Sequence, residues 1–226
     1  MKDLLAPSIM CGNLLNLERE IAIYEEGKAD LIHFDIMDTT FTKTTMLPPS
    51  LIPAIQKATR IPVDVHVMVD RPERFIDTLL PLCKDAYVSF HVEVTKEIQN
   101  LLKAVKTAGG HPSVALNPGT PLCMIEEVAP LLDMLLLLTC NAGHGPKQDI
   151  DAQMADKIRR GRALLDRAGR TDAMLEVDGN ISFQNAKTAQ RCGANVYVLG
   201  TASIYRPDSG VVENMEKLRA HLATPH

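Results

Sequence analysis

The chain has no tryptophan and only five Phe and four Tyr among its 226 residues. It therefore offers no stripe of aromatic and basic side chains. With a net charge of −4 and no run of Lys or Arg, nucleic acid is disfavoured as the main partner. Long apolar runs are also missing. The longest, Met134 to Leu138, is far short of the roughly 20 residues that a membrane-spanning helix needs, so no membrane partner is expected. Met1 to Pro7 shows no apolar stretch leading to a small-residue cleavage site, which predicts no signal peptide. There is no C-x-x-C pair. The five cysteines, Cys11, Cys83, Cys123, Cys140 and Cys192, are odd in number and irregularly spaced. That usage fits reduced thiols and a cytoplasmic location. Cys140 lies beside a candidate site loop and reads as a small buried apolar residue rather than a reactive thiol. No linker and no low-complexity segment divides the chain, so one domain over residues 1–226 is expected.

Short apolar stretches do recur, and polar residues break into three of them at every second position. Leu31-Ile32-His33-Phe34-Asp35-Ile36-Met37 is one. Residues i and i+2 of a strand face the same way, so His33, Asp35 and Met37 share a face. Asp64, His66 and Met68 do so in the next such stretch, and Glu176 and Asp178 in a third. Ionisable groups on buried strands are costly unless they are paired or bind a cation.

Read in order, the chain predicts strands over 4–10, 30–37, 62–69, 86–94, 112–117, 134–141, 173–178 and 195–199. Amphipathic segments separate them. One helix is expected after a cap at Asn13, and others over 50–58, after Asp70-Arg71-Pro72, over 96–108, briefly to Leu132, and over 152–168, 182–191 and 211–222. About eight β-branched strands alternating with helices in this length predict an α/β fold, a (β/α)₈ TIM barrel. An open doubly wound sheet is the alternative, but the first strand-to-helix turn lacks G-x-G-x-x-G.

Barrels of this kind carry their chemistry at the C-terminal strand ends. There the sequence places Ser8, His33, Asp35, His66, His91, Asn117, Asn141, Asp178, Gly200 and Thr201. His33, Asp35, His66 and Asp178 form a two-nitrogen, two-oxygen set suited to Zn²⁺, Fe²⁺ or Mn²⁺. Strand seven lies across a barrel from strand two, so Asp35 and Asp178 would approach a ligand from opposite sides. That suits inversion of a carbon next to a carbonyl: one carboxylate removes a proton, the other returns one to the opposite face, and a cation steadies the enediolate. Gly143 and Gly145 after strand six, Gly179 after strand seven and Gly200-Thr201 after strand eight can expose backbone N–H groups to a phosphate. Asp64 and Glu176, each two residues before a proposed ligand, are expected to brace the metal-binding side chains from one layer deeper.

With these residues in place, the sequence resembles the ribulose-phosphate 3-epimerase family over nearly its whole length. The stretches that carry the resemblance are Ala6-Pro7-Ser8, His33-Phe34-Asp35-Ile36-Met37-Asp38, Asp64-Val65-His66-Val67-Met68, Leu116-Asn117-Pro118-Gly119-Thr120-Pro121, Glu176-Val177-Asp178-Gly179 and Leu199-Gly200-Thr201. The resemblance implies a barrel of the ribulose-phosphate-binding type and 3-epimerisation of a phosphorylated ketose. It also implies one divalent metal (Zn, Fe, Mn or Co) held by His33, Asp35, His66 and Asp178, and a homo-oligomer, dimer or hexamer. It assigns proton acceptance to Asp35, proton donation to Asp178, and substrate contacts to Ser8 and His66. Asn141, Gly143, His144, Gly145, Gly179, Asn180, Gly200 and Thr201 complete the expected substrate-binding set.

The loops after strands two and six differ from the family's usual pattern. The first is Asp38-Thr39-Thr40-Phe41-Thr42-Lys43-Thr44, and the second carries His144-Gly145-Pro146 with one extra residue. Asn180 stands where a second glycine is common. Together with Ser8-Ile9-Met10-Cys11 it resembles the allulose 6-phosphate 3-epimerase branch, which keeps both pentulose and hexulose phosphates open as substrates. Two rivals remain. One is a phosphosugar-binding barrel without turnover, which would need neither carboxylate. The other is a related decarboxylase or aldol-type lyase, which resembles Asp-x-Lys-x-x-Asp at strand three, where this chain has Asp64-Val65-His66 and no lysine.

Overall fold

The computed structural model describes residues 1–143 and 148–224. Eight parallel strands, β1 (Leu4–Pro7), β2 (Ile32–Met37), β3 (Val63–Met68), β4 (Tyr87–His91), β5 (His111–Leu116), β6 (Met134–Leu138), β7 (Met174–Asp178) and β8 (Val196–Leu199), lie in the sheet order β1-β8-β7-β6-β5-β4-β3-β2. The ends meet. Leu5 O accepts from Asp30 N (2.9 Å) and Leu31 N (3.2 Å), and Ser8 bridges in parallel to His33. The sheet thus closes into the expected TIM barrel, with α1 (Leu17–Glu26), α2 (Ile52–Ala58), α3 (Ile76–Leu79), α4 (Ile98–Thr107), α5 (Ala152–Arg167) and α6 (Phe183–Arg191) between the strands and α7 (Val211–Ala223) after β8.

The pleat sorts the side chains. Ile32, Phe34 and Ile36 of β2 and Val63, Val65 and Val67 of β3 face outward and share an apolar cluster with Ile21 and Tyr24 of α1 and Ile52 and Ile55 of α2. Fully burying each such side chain is worth about 1.5–3 kcal/mol. The alternate residues, His33, Asp35, Asp64 and His66, therefore have nowhere to point but the barrel interior, and all four are buried. On the opposite wall the interior is apolar, with Ala115, Leu136 and Leu138 in contact. α5 turns Gly161 toward the sheet. A Cβ at Gly161 would come within 3.2 Å of Leu137 Cδ1, so the missing side chain sets that approach.

Several element boundaries differ from those read in the sequence. β1 stops at Pro7, because Cys11 N and Gly12 N bond back to Ser8 O and Ile9 O and close a tight 3₁₀ turn. The first helix starts at Leu17 rather than after Asn13. Asn13 Oδ1 accepts from Leu15 N in a turn, Asn16 caps the helix through Arg19 N, and Leu15 is 99% exposed with nothing to pack against. The segment after Pro72 is broken into 3₁₀ turns flanking the four-residue α3. The segment after β5 holds two 3₁₀ turns, 122–125 and 129–131, and Pro130 withdraws an N–H that a continuous α-helix to Leu132 would use. β4 ends at His91 rather than Val94, and β6 at Leu138 rather than Asn141.

Candidate active site

The register of β2 against β3 sets His33 beside Asp64 and Asp35 beside His66. β7 brings Asp178 in from across the barrel. His33 Nε2 and His66 Nδ1 each lie 3.2 Å from Asp35 Oδ1, and Asp178 Oδ2 lies 4.0 and 3.8 Å from the same two nitrogens. One ligand atom from each of the four residues falls within 4.8 Å of every other. Ligand atoms held about 2.0–2.2 Å from a tetrahedral cation sit roughly 3.3–3.6 Å apart, so this donor set fits a divalent metal with little adjustment. The other faces of the imidazoles are occupied. His33 Nδ1 hydrogen-bonds Asp64 Oδ2, with Glu176 Oε1 at 3.8 Å, as expected for bracing carboxylates. His66 Nε2 meets His91 Nε2 at 2.9 Å.

Electrostatics separates these groups. Burial disfavours a charge on Asp35, but His33 and His66 overcome it and hold its pKa below the usual carboxylate range. Burial also opposes a charge on His33, yet Asp35 and Asp64 raise its pKa well above the ordinary value. Asp178 goes the other way: burial, together with the charge of Asp35, pushes it up despite His33. Glu176 is raised further by burial and by the Asp64 charge. Asp64 Oδ1 and both Glu176 carboxyl oxygens are buried without a hydrogen-bond partner among the described residues.

A cavity of about 330 Å³ opens above these residues, and Asp35 and Asp178 reach its lining. Ser8, Asn141, Gly143, Gly179, Asn180, Gly200 and Thr201 line it too, so the structure brings together nearly the whole expected substrate set. His33 and His66 are fully buried and lie behind the lining. His144 and Gly145 fall outside the described residues. Gly179, at φ +104°, tolerates no side chain, since a Cβ there would lie 2.5 Å from Cys140 Sγ. Burial pushes the Cys140 thiol up to about 11, in keeping with an inert residue.

The sequence profile of the ribulose-phosphate 3 epimerase family matches residues 4–204. The chain belongs to that family. It is 35% identical over 211 residues to ribulose-phosphate 3-epimerase 1 of Cupriavidus necator, an alignment covering 91% of this chain and 86% of that one. It is 34% identical to the ribulose-phosphate 3-epimerase of Bacillus subtilis (87% and 90% covered) and 30% identical to that of Escherichia coli (97% and 96% covered). Family membership makes the protein an isomerase. Among solved structures, a mutant tryptophan synthase alpha-subunit from Pyrococcus furiosus superposes with a TM-score of 0.68 at 14% identity, covering 98% of this chain and 97% of that one. That likeness shows the barrel fold alone.

Two residues near the site were not singled out from sequence. His91, noted only as a strand-end residue, is fully buried between His66 and Phe41, whose ring centroid is 4.6 Å away. Burial and the neighbouring His66 lower its pKa to about 4 despite Glu93. Glu93, outside the expected site, bonds His91 Nδ1 through Oε2 (3.0 Å), while Oε1 accepts from Asn117 N (2.8 Å) and Thr120 Oγ1. The usable signal was the same one that gave His33 and Asp35, a polar pair two residues apart at a strand end.

Proposed function

We propose that this family member 3-epimerises a phosphorylated ketose, in the first instance interconverting ribulose 5-phosphate and xylulose 5-phosphate. The observation that carries the reading is the placement of Asp35 and Asp178 on opposite walls of one cavity, with two imidazole nitrogens between them. The names of the relatives supply the pentulose. His33, Asp35, His66 and Asp178 would hold the divalent cation, which when bound would offset the negative charge that develops as the C3 proton leaves. Asp35, ionised and held by its partners, takes that proton. Asp178, the carboxyl with the raised pKa, delivers one to the other face of C3, and the roles exchange in the reverse direction. Asp35 is held by Ser8 and both imidazoles at 3.1–3.2 Å, whereas Asp178 stands 3.8–4.0 Å from the same nitrogens, and this difference in grip supports the division.

The Ser8 hydroxyl donates to Asp35 Oδ2 (3.1 Å) and keeps that carboxylate turned to the cavity. The backbone at Gly143, Gly179, Asn180, Gly200 and Thr201, with the Asn141 side chain, forms the rim for the phosphate and sugar hydroxyls. A hexulose phosphate is the second reading. It is carried by Asn180, which adopts a left-handed conformation (φ +48°) at the cavity rim and resembles the allulose 6-phosphate branch.

The test is turnover of ribulose 5-phosphate and allulose 6-phosphate by the purified protein in deuterated water, following solvent deuterium into C3. Exchange and inversion of the pentulose are expected. Binding of both sugars without C3 exchange would sink the epimerase reading, and exchange confined to the hexulose would replace the substrate.

A further inference from the structure

The site offers the cation two different ring nitrogens. His33 turns Nε2 toward Asp35 and Asp178, whereas His66 turns Nδ1. A neutral imidazole can be a ligand through Nδ1 only if its proton sits on Nε2, and something must accept that proton. For His33 the corresponding acceptor is a carboxylate, Asp64. Behind His66 stands another imidazole, which can either accept or donate. Its direction has to be set from further out.

We propose that His91 and Glu93 are positioning residues that lock His66 in its Nε2–H tautomer, leaving Nδ1 as the metal-binding atom. The inference rests on the proposed metal site. The direction follows from counting donors at Glu93. Its Oε1 already receives two groups that can donate, the Asn117 N–H and the Thr120 hydroxyl. Those bonds and His91 hold its pKa down at about 2, against burial. Glu93 is therefore an acceptor at Oε2 as well, and His91 must place its proton on Nδ1, 3.0 Å away. The opposite His91 nitrogen is then a lone pair, and the 2.9 Å contact to His66 Nε2 is a bond only if His66 donates. A doubly protonated His91 is the costlier alternative, because the ring is 0% exposed and one imidazole away from the site of a dication.

Phe41 packs against the His91 ring, the two planes tilted by 54°. Asp38 Oδ1 in turn secures Phe41 by accepting from its N–H (2.7 Å) and from that of Thr40 (3.0 Å). The altered loop after β2 thus closes over the chain of bonds. At its far end, Lys157 donates to Asn117 O (2.6 Å), Pro118 O (3.1 Å) and Thr120 O (2.7 Å), which anchors the loop that Glu93 grips.

The experiment uses the full chain with Co²⁺ or Zn²⁺. His91→Phe keeps the ring volume and the packing on Phe41 but removes the acceptor. It should weaken Co²⁺ binding roughly 10–100-fold and shift the visible ligand-field bands. His91→Gln keeps an acceptor for His66 and a donor for Glu93, and should restore affinity to within about threefold of wild type. In zinc-loaded wild type, long-range ¹H–¹⁵N spectra should show His66 bound through Nδ1 and protonated at Nε2, a readout that needs no variant to fold. His66 bound through Nε2, or an unchanged Co²⁺ affinity and spectrum in His91→Phe, would overturn this inference while leaving the metal site standing. Failure of wild type to bind Co²⁺ stoichiometrically would overturn both.

Discussion

Asp35 and Asp178 face the same cavity from β2 and β7, yet they sit in opposite environments. Asp35 has a side-chain exposure of 5% and three close polar neighbours, Ser8 Oγ at 3.1 Å and the His33 and His66 nitrogens at 3.2 Å. Asp178 is 21% exposed, and neither imidazole nitrogen comes closer than 3.8 Å. The first carboxylate is driven toward its ionised form and the second toward its protonated form. Two residues of nearly identical intrinsic acidity thus become a base and an acid through their neighbours alone.

The strongest way to break this comparison is to remove the carboxylates one at a time. Asp35→Asn and Asp178→Asn should each lower epimerisation by at least about 10²–10⁴-fold. They should differ in solvent exchange. Asp178→Asn keeps the base facing one epimer and should still wash the C3 proton out of it, whereas Asp35→Asn should spare that epimer and exchange the other. Near wild-type inversion by metal-loaded Asp178→Asn would end the two-base account. A smaller effect is expected one layer deeper. Asp64→Asn leaves His33 a neutral acceptor and should weaken metal binding roughly 10–100-fold, measured by competition with a chromophoric chelator. Retained affinity would mean that Asp64 supports the barrel and not the ligand.

The metal-free protein sharpens the contrast through pH. His33, Glu176 and Asp178 all have folded pKa values raised above their ordinary 6.5, 4.5 and 3.8. Each therefore contributes stability that is fully present below its unfolded value and is lost as pH rises through its folded value. Asp35 has the opposite sign, but its contribution is already complete above its ordinary 3.8 and flat beyond it. Stability of the chelator-treated protein should therefore fall as pH rises above about 4, where Asp178 and Glu176 begin to count, and more steeply above about 6.5, where His33 joins them, by up to about 1.4 kcal/mol per pH unit for each proton that the folded state retains. Bound metal needs the ligand nitrogen of His33 free of its proton, so loaded protein should lose less Tm over the same window. A metal-free Tm that rises with pH would show that these groups are not protonated as the site geometry implies.

The polar half of the barrel was legible because period-two breaks in apolar strands put His33 with Asp35, Asp64 with His66 and Glu176 with Asp178 on single faces. Which ligand Asp64 braces was not legible: the β2–β3 register is what sets it beside His33. The chain through His91 was legible only as a polar pair, His91 and Glu93, two residues apart at a strand end, and not as bonded partners. The sequence of 86–94 reads as one strand, whereas the backbone turns into a 3₁₀ helix at Val92 and carries Glu93 back onto His91. Only tertiary contacts from Asn117 and Thr120 show where that carboxylate points. The missing helix after β5 failed for a local reason, since the interior proline at 130 outweighs an apolar pattern that would otherwise read as helical.

The smallest expected effect lies beside Asp178, at Asn180. This residue holds φ +48°, and its Nδ2 donates to Gln148 O (2.7 Å). Asn185 Nδ2 donates to the same carbonyl (3.2 Å) and to Asn180 O (2.8 Å). The loop after β7 is thereby tied to the chain that follows the loop after β6. Asn180→Gly would relieve left-handed strain of up to about 1 kcal/mol. It would also add unfolded-state freedom worth about 0.5–1 kcal/mol and delete a hydrogen bond worth about 0.5–1.5 kcal/mol. These terms nearly cancel, so Tm should move little. What does not cancel is the anchor. With the Gln148 carbonyl left to Asn185 alone among the described residues, and its side chain still on Thr139 O, the rim on the Asp178 side loosens while Asp35 and its three neighbours stay in place. KM for the phosphosugar should rise a few-fold with kcat unchanged, the pattern of lost uniform binding. A fall in kcat at constant KM would instead tie Asn180 to the placement of Asp178 itself.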